Sequence, residues 1–289
     1  STKVEIEPGR GAWDIANLLG SRGIIDSPNI FMFGVWRTGN IRTLKAGEYL
    51  FPPELSSEQV MDLLVTGEVF KYRITVPEGL RSQQIIQILK EAEPLRGQLS
   101  TIPAEGSLLP ETYLYKRGDR RTDLLKRMKI AMDKELMILW HNRDSKLPLK
   151  TPQEALILAS IVEKETSLSS ERRKVAGVFI NRLRKNMRLQ SDPTILYAIT
   201  DGMSQMKTTL SRKDLKYDSP FNTYLYRGLP PSPIAHPGKE ALAAVLNPLI
   251  TEALYFVADG TGGHAFAETL SQHQRNVRRW RRHQAKKIK

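Results

Sequence analysis

Glu163 and Glu165 stand two residues apart at the end of an apolar run, in residues 151–167, which read TPQEALILASIVEKETS. A carboxyl set against apolar neighbours is disfavoured in its charged form, and the negative end of a helix raises its pKa further. Lys164 opposes both effects. An acid still protonated near neutrality can hand a proton to a departing glycosidic oxygen, which is what breaking a sugar–sugar bond requires. Two residues along a helix project about 200° apart, so only one of the two carboxyls can face a groove. Glu163 continues the face of Leu156, Ala159 and Ser160, where small side chains leave room for a sugar; it is the expected acid. Glu165 lies under Leu158, Ile161 and Val162 and is expected to pack there and pair with a basic side chain. The same pattern also describes a buried helix whose end simply meets solvent.

The elements that must hold such an acid are legible around it. Thr151, then Pro152 at the first helical position and Glu154 three residues after the threonine, predict a capping box and a helix start. Residues 155–162 are apolar except for Ser160, as in a helix buried on most sides. A long helix is predicted over 122–140 and another over 175–184. Residues 254–258 and 264–267 flank DGTGG and predict a hairpin. Nearer the start, residues 4–9 alternate like a strand ending in a turn, and Trp13, Ile15, Ala16 and Leu19 follow at helical spacing. Ser27-Pro28 predicts a capped second helix with Phe31, Phe33 and Trp36, residues 47–51 a strand, and Ser56 onward a third helix. Residues 74–79 repeat the strand-and-turn pattern ahead of a helix with Ile85, Ile86 and Leu89.

Polar side chains with the chemistry to bind a glycan fall on loops. Asp192 before Pro193 is a ready helix cap, whereas Gln190 and Ser191 offer an amide and a hydroxyl suited to sugar hydroxyls and acetamido groups. Asn222 can hydrogen-bond and Tyr224 can stack on a pyranose face. Glu105, Glu111 and Tyr113 surround a Gly- and Pro-shaped loop that reads equally as a cleft wall or a plain turn. His236 is taken as a loop histidine without a role.

Several blocks together resemble one family. Ala159-Ser160-Ile161-Val162-Glu163-Lys164-Glu165, Glu105 to Tyr113, Leu189 to Thr194, Asp218 to Tyr224 and Gly228 to Ile234 are similar to blocks of the YceG-like family of endolytic murein lytic transglycosylases. Leu109 and Glu111 depart from the family's usual Phe and Asp. The resemblance covers most of the chain from about residue 74 onward and implies that Glu163 is catalytic. It further implies an enzyme that cuts the bond between N-acetylmuramic acid and N-acetylglucosamine inside a murein strand. The products would carry 1,6-anhydro ends, and cutting would terminate nascent strands. Murein glycan is the implied partner, with peptidoglycan synthases beside it. The implied place is the periplasmic face of the bacterial inner membrane, through an amino-terminal membrane helix that this chain lacks. The expected fold is α+β: a small LysM-like strand-helix module over residues 1–72 and a larger, helix-rich catalytic domain over 73–289 with a few antiparallel strands. The module would either grip glycan or act as a packing spacer.

Composition narrows the alternatives. At 289 residues with 40% hydrophobic content the chain can bury a sizeable core, and no apolar run approaches the roughly 18 residues of a membrane span. There are no cysteines, so thiolate chemistry and disulfides are excluded. Of the net charge of +13, eight positive charges fall after Glu268, where no acid remains. Only Trp280 interleaves an aromatic there, so nucleic acid is not the expected partner; anionic lipid or murein carboxylates fit the tail, as does a solvated helix end. Neither a phosphate-binding GxxxxGK[ST] pattern nor a metal-ligand spacing is present, so no metal or organic cofactor is expected. Three other readings share these residues: a lysozyme-like hydrolase using Asp192 as second acid, a murein-binding protein without catalysis, and a pyridoxal-phosphate-dependent aminodeoxychorismate lyase, for which a phosphate cup is missing.

Overall fold

Val4 and Ile6 alternate with polar residues and point inward, and Tyr49 and Phe51 point inward on either side of Leu50, which is exposed. In the computed structural model, which describes residues 1–200 and 210–287, those strands, β1 (Thr2–Ile6) and β2 (Gly47–Phe51), pair antiparallel with Val4 opposite Tyr49. Two helices connect them, α1 (Ala12–Ser21) and α2 (Pro28–Arg37), the second opened by Pro28 and by Ser27, whose hydroxyl accepts from the Ile30 amide. Helix α3 (Ser57–Thr66) has a complete capping box between Ser56 and Gln59 and ends on Gly67 in the left-handed region, φ 75°. These elements share one core around Leu19, Phe31, Val35, Tyr49 and Leu64. Phe31 and Val35 are four apart and face it; Phe33 and Trp36 lie on the other side of α2 and are 60% and 65% exposed.

Contacts divide the chain into two compact units, the first comprising residues 1–74 with 92–97 and 112–124. Strand β3 (Tyr72–Thr75) pairs with β4 (Thr112–Tyr115), which is how the later segment joins. The second unit holds α4 (Ser82–Glu91), most of α5 (Arg121–His141), α6 (Pro152–Glu165), α7 (Ser169–Arg184), α8 (Asp192–Thr200) and α9 (Lys239–Leu246). A hairpin of β5 (Tyr255–Ala258) and β6 (His264–Ala267) follows, antiparallel, and then α10 (Leu270–Lys287). The fold is thus α+β, helix-rich with short strand pairs.

At the centre of the second unit every residue from Ala155 to Val162 of α6 is buried, with α7, α8 and α9 packed around it. Gly177 permits a close backbone approach: a Cβ there would stand 2.5 Å from the Leu249 carbonyl oxygen. Helix α10 is less free than a solvated tail. His273 stacks on Tyr255 with centroids 5.2 Å apart, Asn276 donates to the Phe266 carbonyl, and His283 lies against Gly260 at the hairpin tip. Arg278, Arg279, Arg281 and Arg282 are exposed, and Lys289 lies outside the described residues. Among the described residues no helix is long and apolar enough to cross a membrane.

Candidate active site

Helix α6 begins as its sequence requires, with the Thr151 hydroxyl accepting from the Glu154 amide at 3.2 Å. The reciprocal half of the expected capping box is absent, because the Glu154 carboxylate accepts from the Lys150 amide instead. At its other end the helix stops at Glu165, and Thr166 is extended at φ −146°. Both glutamates therefore occupy the last turn, where unpaired carbonyls make the helix end negative.

Their surroundings differ sharply. Glu163 has a side chain only 6% exposed, and its carboxylate accepts from the Gly238 amide at 3.0 Å, the residue that opens α9. Arg172 stands 3.7 Å away and is shared with Glu78 and with Glu240. Burial raises the Glu163 pKa and the Glu78 charge adds to this, while the Gly238 amide, Arg172 and Lys164 act against it. Lys164 itself donates to the Gly79 carbonyl. Glu163 thus ties the start of α9, and Lys164 the turn at Gly79, to the end of α6.

Glu165 meets a different set. The Ser191 hydroxyl donates to its Oε1 at 2.5 Å, and the carboxyl is buried. Burial of the carboxyl pushes its pKa up to about 7; Asp192 adds to the rise, and the Ser191 hydroxyl, His264 and Arg182 oppose it. The expectation that Glu165 packs and pairs with a basic group is corrected: its hydrogen-bond partner is a hydroxyl, and the cations act on it through space.

The space beside Glu163 is also corrected. Ser160 is fully buried, donates to the Ile157 carbonyl and accepts from the Ile234 amide at 3.0 Å. The small side chains of this face admit the 234 backbone rather than a sugar. Ser160→Ala should therefore strand a buried amide and cost about 1–3 kcal/mol in a denaturant titration.

The expected binding residues fall around Glu165 rather than Glu163. Ser191 is buried against it; Gln190 is exposed, and its backbone is in the left-handed region at φ 51°, a strain seen where a loop is held for function. Thr223 holds this loop, accepting from Gln190 N at its carbonyl and from Ser191 N at its hydroxyl. The Tyr224 hydroxyl donates to Asp192 Oδ1 at 2.6 Å, and burial together with that carboxylate raises the tyrosine's pKa. Asp192 is exposed at the start of α8.

Two expected residues lie elsewhere in function or place. Asn222 is fully buried and spends its amide on the Leu215 and Tyr217 carbonyls and its oxygen on the Tyr224 amide, so it shapes the loop and offers nothing to a ligand. Glu111 is half exposed and pairs with Lys239 at 3.2 Å, next to Gly238 and so on the Glu163 side. His236, given no role from sequence, is buried with Nε2 2.9 Å from the Ser82 hydroxyl and Nδ1 accepting from the Leu108 amide; burial lowers its pKa to about 4, so it is a neutral interior link.

Sequence reasoning passed over Thr223, Arg182 and His264. The last donates from its backbone amide to Glu171 and shares a 2.7 Å contact with the same carboxylate through Nδ1. The available signal was Arg182, a cation three residues after Phe179 on an otherwise apolar helix face.

Comparisons with known proteins converge on one group. The family model described as the YceG-like family matches residues 4–279. A Bacillus subtilis protein named endolytic murein transglycosylase is 30% identical over 95% of this chain and 83% of its own length. A Streptococcus pneumoniae protein of the same name is 31% identical over 95% of this chain but 57% of its own. The crystal structure of a yceG-like protein from Listeria monocytogenes superposes with a TM-score of 0.60 at 31% identity, covering 95% of this chain and 98% of that one. With a family match over residues 4–279 and a relative 30% identical over 95% of it, this chain belongs to the YceG-like family.

Proposed function

We propose that this chain is an endolytic murein transglycosylase that cuts the N-acetylmuramic acid–N-acetylglucosamine bond within glycan strands, with Glu165 as its acid. The observation that carries the reading is a buried carboxyl, pushed by that burial to a pKa of about 7, that accepts from the Ser191 hydroxyl beside the loop of Gln190, Ser191 and Asp192. The names of the relatives supply the substrate class. Glu165 gives its proton to the glycosidic oxygen as the bond to the muramyl C1 breaks. The C6 hydroxyl of the same sugar then forms a bond to C1, and the Glu165 carboxylate takes the hydroxyl proton, closing the 1,6-anhydro ring and restoring the acid. Water is not consumed.

This assignment moves the acid from Glu163, the residue favoured by the motif and its helical face. Glu163 has its carboxylate engaged by the Gly238 amide and Arg172, whereas the expected binding residues Gln190, Ser191, Asp192 and Tyr224 gather at Glu165. Asn222 and Glu111 support the site indirectly in this reading. Asp192 favours a second reading, because its charge reaches Glu165 and it could act as the base of a hydrolase. Mass spectrometry of products from uncross-linked strands separates the two. Ends lighter by one water support the transglycosylase, and reducing ends support hydrolysis.

The finer parts of the proposal rest on the family resemblance: action at the outer face of the inner membrane through an anchor, coupling to murein synthases, and a LysM-like glycan-gripping role for residues 1–72 ahead of a catalytic 73–289. The strand-helix-helix-strand order of β1, α1, α2 and β2 is compatible with the last. Deleting residues 278–289 should weaken adhesion to anionic murein, most at low salt, because four exposed arginines are lost. Turnover of a short soluble glycan should persist; its collapse in a folded variant would make α10 part of the catalytic core.

A further inference from the structure

Arg182 places a charge where the apolar stripe of α7 would continue, three residues after Phe179, and it is 6% exposed. A guanidinium does not deprotonate in a protein, so that charge stays in the interior at every working pH. Its Nε donates to the Leu254 carbonyl at 2.7 Å and its Nη1 to the Leu189 carbonyl at 2.6 Å, and the guanidinium carbon sits 5.3 Å from the Tyr255 ring centre. Leu189 directly precedes Gln190 and Ser191; Leu254 directly precedes β5 of the hairpin whose other strand begins with His264. One side chain therefore fixes both the loop that hydrogen-bonds Glu165 and the hairpin that brings a histidine near it.

We propose that Arg182 is a positioning residue for the acid: it sets the Ser191 loop through the Leu189 carbonyl and stabilises the Glu165 carboxylate that exists between the two proton transfers. The inference rests on Glu165 being the acid. The charged and titratable groups facing Glu165 are Asp192 from α8, Tyr224 from the loop after Thr223, His264 from β6 and Arg182 from α7. Asp192 opposes ionisation, and the guanidinium of Arg182 is a permanent cation. Its charge does not change during the cycle, since the proton leaves Glu165 for the glycosidic oxygen and returns from the C6 hydroxyl. A carboxylate beside a fixed cation forms more readily, so the protonated acid and its conjugate base are kept close in energy.

The test compares pH profiles of kcat/KM on soluble glycan strands for the whole chain and two variants. Arg182→Gln keeps donors but removes the charge, and the alkaline limb, where the acid loses its proton, should move to higher pH by about half a unit or more. Arg182→Lys keeps the charge but cannot serve both carbonyls in the same fork geometry. It should leave the limb in place and lower kcat about tenfold with little change in KM. A merely structural residue would scale the profile without moving the limb. An unmoved limb in a folded Arg182→Gln overturns the inference, as does an unchanged kcat in Arg182→Lys, which decides the matter if the glutamine variant fails to fold. Glu165→Gln run alongside keeps the two claims apart. If it stays active, the acid itself is misassigned; if it is inactive and the Arg182→Gln limb is fixed, only the role of Arg182 falls.

Discussion

Glu165→Gln is expected to lower kcat on glycan strands by on the order of 10²-fold or more, because the amide keeps the shape and can still accept from the Ser191 hydroxyl but has no proton to give. The same substitution should not destabilise the protein at neutral pH or above. The folded-state pKa of Glu165 is raised from 4.5 to about 7, so between those values the folded chain binds more protons than the unfolded one. Stability contributed by the protonated acid is then lost as pH rises through that window, on the order of 3 kcal/mol in all. Glutamine never ionises, so at pH 8 the variant should melt at the same temperature as the parent or higher, and at pH 4 the gain should disappear. An inactive variant that is also more stable at pH 8 is the signature of a group held in an unfavourable state for catalysis.

Glu163→Gln should behave in the opposite way. Its carbonyl oxygen can still accept from Gly238, but the buried Arg172 loses the one buried carboxylate of the three it meets, so stability should fall by about 1–2 kcal/mol while activity stays within about tenfold. If instead Glu163→Gln stops release of anhydro-ended products and Glu165→Gln does not, the acid is Glu163 and the motif-based assignment stands.

The largest loss of stability should come from Phe179→Ala, at about 3–5 kcal/mol. Phe179 is 1% exposed in the core of the second unit, where α6, α7 and α9 meet, and its ring sits edge-on to Phe256 of β5, 5.7 Å between centroids at 88°. Truncation removes the ring's transfer energy, leaves a cavity that the surrounding helices cannot all close, and forfeits the aromatic pair. Thermal melting should fall by on the order of 10 °C. The partner hairpin carries His264, so activity at temperatures well below melting should drop too. A melting point within a few degrees of the parent would mean that the hairpin and α7 repack around the gap.

Local chemistry determined much of this protein without help from the rest of the chain. Thr151-Pro152 opens α6, Ser27-Pro28 opens α2, Ser56 with Gln59 opens α3, and the alternation around Val4 and Ile6 makes β1; each depends on neighbours within four residues, so each is written in short stretches of sequence. The last-turn position of two glutamates on a buried helix was legible for the same reason. Which glutamate meets the polar loops was not. The helical wheel states that Glu163 and Glu165 point apart, but the neighbours are Gly238 and Arg172 for one and Ser191, Asp192 and Arg182 for the other, residues 9 to 75 positions away. The small Ala159 and Ser160 looked like room for a sugar, and the folded chain filled that room with the backbone at Ile234. Asn222 looked like a free amide, and three loop groups claim it. A side chain's type sets what bonds it can make; whether those bonds remain available for a substrate depends on burial and on long-range partners, which only the tertiary structure supplies.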